Sequence, residues 1–105
     1  MDIRRWNPAQ DGLLSEQSLR RKLEGLGYSV QRYVYPPGTC FPPHTHDSNK
    51  MDAVLSGQFR ITMAGESVVL EAGDAVAVPA GVEHSAETAG DEPVVSLDGV
   101  ARTRQ

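Results

Sequence analysis

The chain has a single cysteine, Cys40, in 105 residues. An internal disulfide is therefore excluded. Basic residues are outnumbered, ten Lys and Arg against fourteen Asp and Glu, for a formal net charge of −4. A sequence-independent grip on nucleic acid needs a basic face to neutralise phosphates, so the balance speaks against such a partner. There is no apolar run of about 18 residues, the length a membrane-spanning helix needs. The opening Met1-Asp2-Ile3-Arg4-Arg5-Trp6-Asn7-Pro8 is charged and then broken by proline, without the apolar stretch of a secretory signal. The expectation is a cytoplasmic protein with neither a membrane nor a nucleic acid as partner. A regular alternation of helix and strand is also missing, which argues against a parallel α/β sheet. Long repeats and low-complexity segments are absent too.

Turn-formers are plentiful: ten glycines and seven prolines. Hydrophobic content of 39% and charged content of 23% are ordinary for a globular domain. The length fits one domain over residues 1–105, with one modest core. Leu19, Leu23 and Leu26 follow a four-then-three spacing, which predicts a helix over about 15–26. Ser15 is placed to cap it, and Gly25 and Gly27 to end it. The basic group Arg20-Arg21-Lys22 between the leucines reads as a solvated face. From Tyr28 the period shortens to two. Val30 to Val34, Phe59 to Met63, Val68 to Leu70, Val76 to Val78 and Val94 to Leu97 read as strands, with a further strand around His84 and Ala86. Glycine or proline turns separate them. Short strands at this spacing predict an antiparallel sandwich or barrel over about 28–100. Residues 102–105 have no evident reason to be ordered.

The chemistry lies with three histidines. His44 and His46 are two apart, which puts both rings on one side of a strand. His84 follows 38 positions later, so only tertiary structure joins it to them. A pair on one strand plus a third ring from another is a sensible way to hold a metal ion with open positions for water or substrate. The plainer alternative is three interior histidines satisfied by neighbours. For Cys40 the preferred reading is a small buried hydrophobe; it shares parity with His44, but Pro42-Pro43 interrupts the strand. Tyr33 and Tyr35 read as strand packing, and Trp6 and Phe41 as core or interface.

From Gly38 to about Thr88 the chain resembles the cupins, a superfamily of small β-barrels. The family's first motif is a glycine, a His-x-His pair, a glutamate and a closing glycine; Gly38, His44, His46 and Gly57 match four of its five positions. The second is a glycine, Pro-x-Gly, a histidine and an asparagine; Gly73, Pro79, Gly81 and His84 match four of five. The motif glycines and Pro79 have a structural reading, and all three histidines fall on ligand positions. The resemblance implies an all-β, antiparallel jelly-roll barrel preceded by one short α-helix. It implies a divalent transition metal on His44, His46 and His84, with Fe, Zn, Ni, Mn and Cu all open. It also implies a homodimer, since short barrels leave strand edges to cover.

Two positions depart from the motifs. Thr88 stands at the asparagine, and Lys50 (or Met51, with a gap of four) at the glutamate. A protonated amine cannot ligate a metal. At roughly 4 Å from a divalent ion, in an effective dielectric near 20, repulsion is on the order of 8 kcal/mol before screening. Lys50 must swing away, pair with Asp47 or Asp52, or meet an anionic substrate, unless the site holds no metal. Asp52 as a substitute ligand is disfavoured, because two positions along a strand is a shift of roughly 6–7 Å. The expectation is a metal-binding cupin with Lys50 as a substrate-binding residue. The resemblance would make an enzyme of this kind a three-histidine dioxygenase acting on a small acidic substrate. The alternative is a non-catalytic module that binds or senses a small-molecule ligand, with or without metal. No catalytic residue is singled out.

Overall fold

The structure, a computed structural model, describes residues 1–102. Nine strands and two helices follow in the order β1 (Ile3–Arg4), α1 (Pro8–Asp11), α2 (Glu16–Gly25), β2 (Tyr28–Tyr35), β3 (Cys40–His44), β4 (Lys50–Ser56), β5 (Gln58–Met63), β6 (Glu66–Leu70), β7 (Ala75–Val78), β8 (His84–Ala89) and β9 (Val94–Ala101). Every strand pairing is antiparallel. One sheet has five strands in the order β1-β7-β4-β9-β2, the other four in the order β3-β8-β5-β6. This is the expected jelly-roll, with one refinement. The two sheets face each other without hydrogen-bonding into a closed barrel.

The five-stranded sheet is covered on both sides, and period-two alternation sorts its residues. Met51, Ala53 and Leu97 join Leu19 and Leu23 of α2 in one apolar cluster. Val54, Val76, Val78 and Val94 face the other way and join Phe59, Ile61, Met63 and Leu70 of the second sheet. Leu19 and Leu23 are each 1% exposed, and burial of a leucine is worth about 1.5–3 kcal/mol. That anchors α2 on the sheet. Ser15 caps this helix as expected: its hydroxyl accepts from the Ser18 amide while the Ser18 hydroxyl accepts from the Ser15 amide.

Three expectations need correction. The first eleven residues form β1 and α1, which sequence patterning did not reveal. The basic group of α2 is not a purely solvated face. Arg20 donates to the Val30 carbonyl at 2.9 Å, and Lys22 pairs with Asp11 at 2.8 Å and lies 5.1 Å from the Trp6 ring centroid. Arg102 is tied down, its amide donating to the Gly27 carbonyl at 3.0 Å. The rest of the expected loose tail, residues 103–105, lies outside the described residues.

Two motif glycines have clear steric reasons. Gly57 turns β4 into β5 at φ +84°, and a Cβ there would lie 2.4 Å from the Pro93 carbonyl oxygen. Gly73 sits at φ +90°, and a Cβ there would lie 2.6 Å from the Trp6 Cβ. Both combine a left-handed backbone with no room for a side chain. The second also fixes the N-terminal segment, because Trp6 packs directly on that turn and donates its indole N–H to the Gly12 carbonyl.

Candidate metal centre and cavity

A cavity of about 350 Å³ is lined by residues of both sheets. The three histidines meet in its wall. His44 is the last residue of β3 and sits directly opposite His84, the first residue of β8. His46 lies beyond the end of β3, in a loop held by the Gly81 amide donating to the His46 carbonyl at 2.9 Å. Regular alternation along one strand, the basis of the sequence argument, is therefore not what joins the pair. The register of β3 against β8 shifts between Phe41 and His44, across Pro42-Pro43. As a result Phe41 and His44, of opposite parity, both line the cavity. Cys40 is displaced to the outside. It is exposed, with Sγ 4.0 Å from a Glu87 carboxylate oxygen, which corrects the expectation of a buried thiol.

One ring nitrogen from each histidine lies within 4.8 Å of the other two. The Nε2 atoms of His44 and His46 are 3.1 Å apart. Ligand nitrogens on bonds of about 2.0–2.1 Å stand roughly 3–3.4 Å from one another, so modest ring movement would bring all three onto one ion. Two rings are already oriented. Nδ1–H of His44 donates to the Pro42 carbonyl at 2.7 Å, and Nδ1–H of His84 donates to the Val82 carbonyl at 3.0 Å. Carbonyls accept only, so these contacts place the proton on Nδ1 and leave each Nε2 as an acceptor, that of His44 facing His46 Nε2 at 3.1 Å. At His46 and His84 protonation is disfavoured as well. Burial lowers the His46 pKa below the ordinary imidazole value, assisted by Lys50, and burial lowers that of His84. Neutral, pre-oriented imidazoles are what a transition metal requires.

The facing wall carries a polar group on adjacent strands. Asp52 of β4 and Asp98 of β9 are cross-strand partners. Like charges so placed repel, and Lys50 is positioned to offset them. Its Nζ is 3.4 Å from Asp52 Oδ1 and 4.0 Å from Asp98 Oδ2. Asp98 also accepts from the Tyr35 hydroxyl at 3.1 Å and from the Ser96 hydroxyl at 2.5 Å. Asp52 is less well served. Among the described residues its Oδ1, sealed from solvent, has no hydrogen bond, the Lys50 ammonium being near but out of alignment. Burial, and then the Asp98 charge, push the Asp52 carboxyl up to about 7, against the pull of Lys50. Burial and Asp98 likewise raise the Tyr35 phenol.

Of the outcomes open to Lys50, the structure shows pairing with Asp52. Asp52 lies outside the imidazole cluster, in accord with the strand-spacing argument. Sequence reasoning missed Asp98 and the hydroxyl of Tyr35. The signal was Ser96 and Asp98 alternating with Val95 and Leu97, but it did not say which face was inward. Thr88, the second departure, braces the backbone. Its hydroxyl oxygen accepts from the Gly38 and Thr39 amides and ties down the turn before β3.

A family model for the cupin domain, Cupin_2, matches residues 31–100. This chain belongs to the cupins. Among characterised relatives it is 38% identical over 81 residues to Germin-like protein 5-1 of Oryza sativa subsp. japonica, covering 71% of this chain and 37% of that protein. The cupin thus spans little more than a third of that relative's length. Among solved structures it is similar to a conserved protein with a double-stranded β-helix domain from Klebsiella pneumoniae, at TM-score 0.61 and 27% identity over 71% of this chain and 67% of that one. It is also similar to DMSP lyase DddQ from Ruegeria pomeroyi, at TM-score 0.64 and 26% identity over 71% of this chain and 38% of that one. No helix among the described residues is long and apolar enough to cross a membrane.

Proposed function

We propose that this cupin binds one divalent transition metal through His44, His46 and His84 and uses it to hold a small molecule in the adjoining cavity. The observation that carries the reading is the convergence of three ring nitrogens from separate parts of the chain, two of them with tautomers set by backbone carbonyls. Three protein ligands leave further coordination positions for a ligand atom. A bound ion would supply Lewis-acid polarisation of a ligand oxygen there. The chain's own residues do the rest: Phe41, Phe59 and Ile61 form an apolar wall, and Lys50, Asp52 and Asp98 a polar one. The likeness to a lyase over most of this chain supports a catalytic role. The expected oxygenase chemistry is separable from a pure binding role by oxygen uptake with a panel of small carboxylates.

Elemental analysis of tag-free protein tests the metal directly. Near-stoichiometric transition metal is expected, falling to background in His84→Ala. Absence of metal after supplementation with iron, zinc, nickel and manganese would refute the reading. We further propose one domain over 1–105 and a homodimer. The eight-residue β2 forms a sheet edge with Tyr33 and Val34 exposed, the kind of edge that chains cover by association. Sedimentation at monomer mass at all concentrations would overturn the dimer.

A further inference from the structure

The polar wall of the cavity is one positive charge short. Two carboxylates, Asp52 and Asp98, face a single ammonium, Lys50. Counted by itself, apart from the imidazoles and any ion they hold, this wall carries a formal charge of −1. It is also short of donors. The Tyr35 and Ser96 hydroxyls both serve Asp98, and the sealed Oδ1 of Asp52 has no hydrogen bond. A buried acceptor left unmade is costly, and more so when charged. The Asp52 side chain is only 13% exposed, so bulk water is a poor remedy. The rings of Tyr35, Phe41 and Phe59 line the same cavity, packed with centroids 4.9–6.2 Å apart. Aromatic rings and carboxylates in one cavity favour a cation.

We propose that the ligand of this cavity is a small molecule with an anionic, metal-seeking end and a cationic or hydrogen-bond-donating end, the second received by Asp52 and Asp98 beside Lys50. This rests on the metal reading for the first end only. It replaces the expectation that Lys50 greets an acidic group, because the two carboxylates already outweigh that lysine. An incoming ammonium takes its place next to the Lys50 head group, which sits on a flexible stem and can give way. Without ligand, a proton on Asp52 meets part of the same need, in keeping with its raised pKa. The groups that face Asp52 and set that balance are Lys50 on its own strand, Asp98 on β9, Tyr35 on β2 and the three imidazoles across the cavity. A cationic ligand end should therefore displace a proton when it binds near neutral pH.

Three probes of shared backbone separate the outcomes: propionate, β-alanine and succinate. They present one carboxylate on a two-carbon stem whose far end carries a hydrogen, an ammonium or a second carboxylate. Calorimetry or NMR titration on zinc- or nickel-loaded protein is expected to rank β-alanine at least tenfold above propionate and succinate last. Asp52→Asn should erase the β-alanine advantage over propionate, with metal content unchanged. Asp98→Asn provides a second variant should the first fold poorly. Lys50→Met should widen the advantage. Succinate or propionate matching β-alanine would overturn the proposal. So would an advantage that survives both variants, or failure of all three probes to bind a protein that demonstrably holds its metal. A protein that holds no metal fails the earlier reading instead. The second end can then be tested alone with ethylammonium and its neutral analogue propane, ethylammonium binding lost in Asp52→Asn being the expected result and its absence the refuting one.

Discussion

Replacing Asp52 by Asn should stabilise this protein, and increasingly so as pH rises. The carboxyl is moved from 3.8 to about 7 by burial and by Asp98. Between those values the folded protein binds a proton that the unfolded chain has released. Stability from this group is thus greatest below pH 3.8, is lost as pH rises towards 7, and stays lost above it. Every tenfold change in proton affinity between folded and unfolded chain corresponds to about 1.4 kcal/mol, so the full effect is at most about 4 kcal/mol. Asparagine never ionises and escapes the penalty. The attraction to Lys50 acts only on the ionised carboxylate, and its pull is already contained in the value of about 7. The diagnostic is therefore the slope. Metal-free protein and Asp52→Asn would be unfolded in urea at pH 5, 6, 7 and 8. Trp6, the sole tryptophan, packs against the apolar cluster of Leu19, Leu23 and Met51 and can report the transition. The advantage of the variant should grow by about 2–3 kcal/mol from pH 5 to pH 7 and then level off. Histidine titration, which acts in the same range, is common to both proteins and cancels. A pH-independent difference, or one that shrinks as pH rises, would refute the buried-carboxylate argument.

Other expected outcomes follow from the same contacts. Lys50→Met removes the only ammonium between two carboxylates and should destabilise by roughly 3–5 kcal/mol at pH 8, with much of the loss recovered at pH 5 as Asp52 protonates; equal loss at both pH values would contradict the pairing. Metal affinity, followed by competition with a chromophoric chelator, should hold to below the ordinary imidazole pKa of about 6.5, because His46 and His84 are shifted down, and then fall as the rings protonate; no fall between pH 7 and pH 5 would argue against histidine ligation. Gly73→Ala puts a methyl group against Trp6 at a left-handed φ and should lower stability by about 1–3 kcal/mol, measured by circular dichroism. Adding Trp6→Gly, which removes the Cβ that the new methyl group meets, should relieve the contact part of that loss, so strictly additive double-mutant energies would count against the packing described.

Much of this fold is legible in the order of residues, for reasons that can be named. Leu19 and Leu23 mark α2 because a helix packed on a sheet must bury one stripe. β5 is legible because Phe59, Ile61 and Met63 face the core while Gln58 and Arg60 face outwards, a clean alternation. β4 is harder. Both of its faces are covered, by α2 on one side and the second sheet on the other, so Ala53, Val54 and Leu55 follow one another with no polar residue between them. The N-terminal elements were invisible for another reason. β1 is two residues long and α1 four, too short for any period, and they are held by tertiary contacts such as the 2.6 Å ion pair between Arg5 and Asp74.

The site divides along the same line. The imidazole cluster was legible because motif spacing survives local irregularity. The shift in β3 and the position of His46 beyond its end alter how the rings converge, yet the glycines and Pro79 still deliver them to one place. The polar wall was not legible, because its meaning depends on strand register. Asp52 and Asp98 are 46 positions apart in sequence, and only the pairing of β4 with β9 sets them side by side. Lys50 alone reads as a misplaced charge beside a metal. With Asp52 and Asp98 in register it reads as the minority partner of an acidic pair, and the sign of the wall is reversed. A substitution at a motif position thus changed its chemical meaning through two residues outside the motif. For this reason the ligand preference of the cavity should follow Asp52 and Asp98 rather than Lys50.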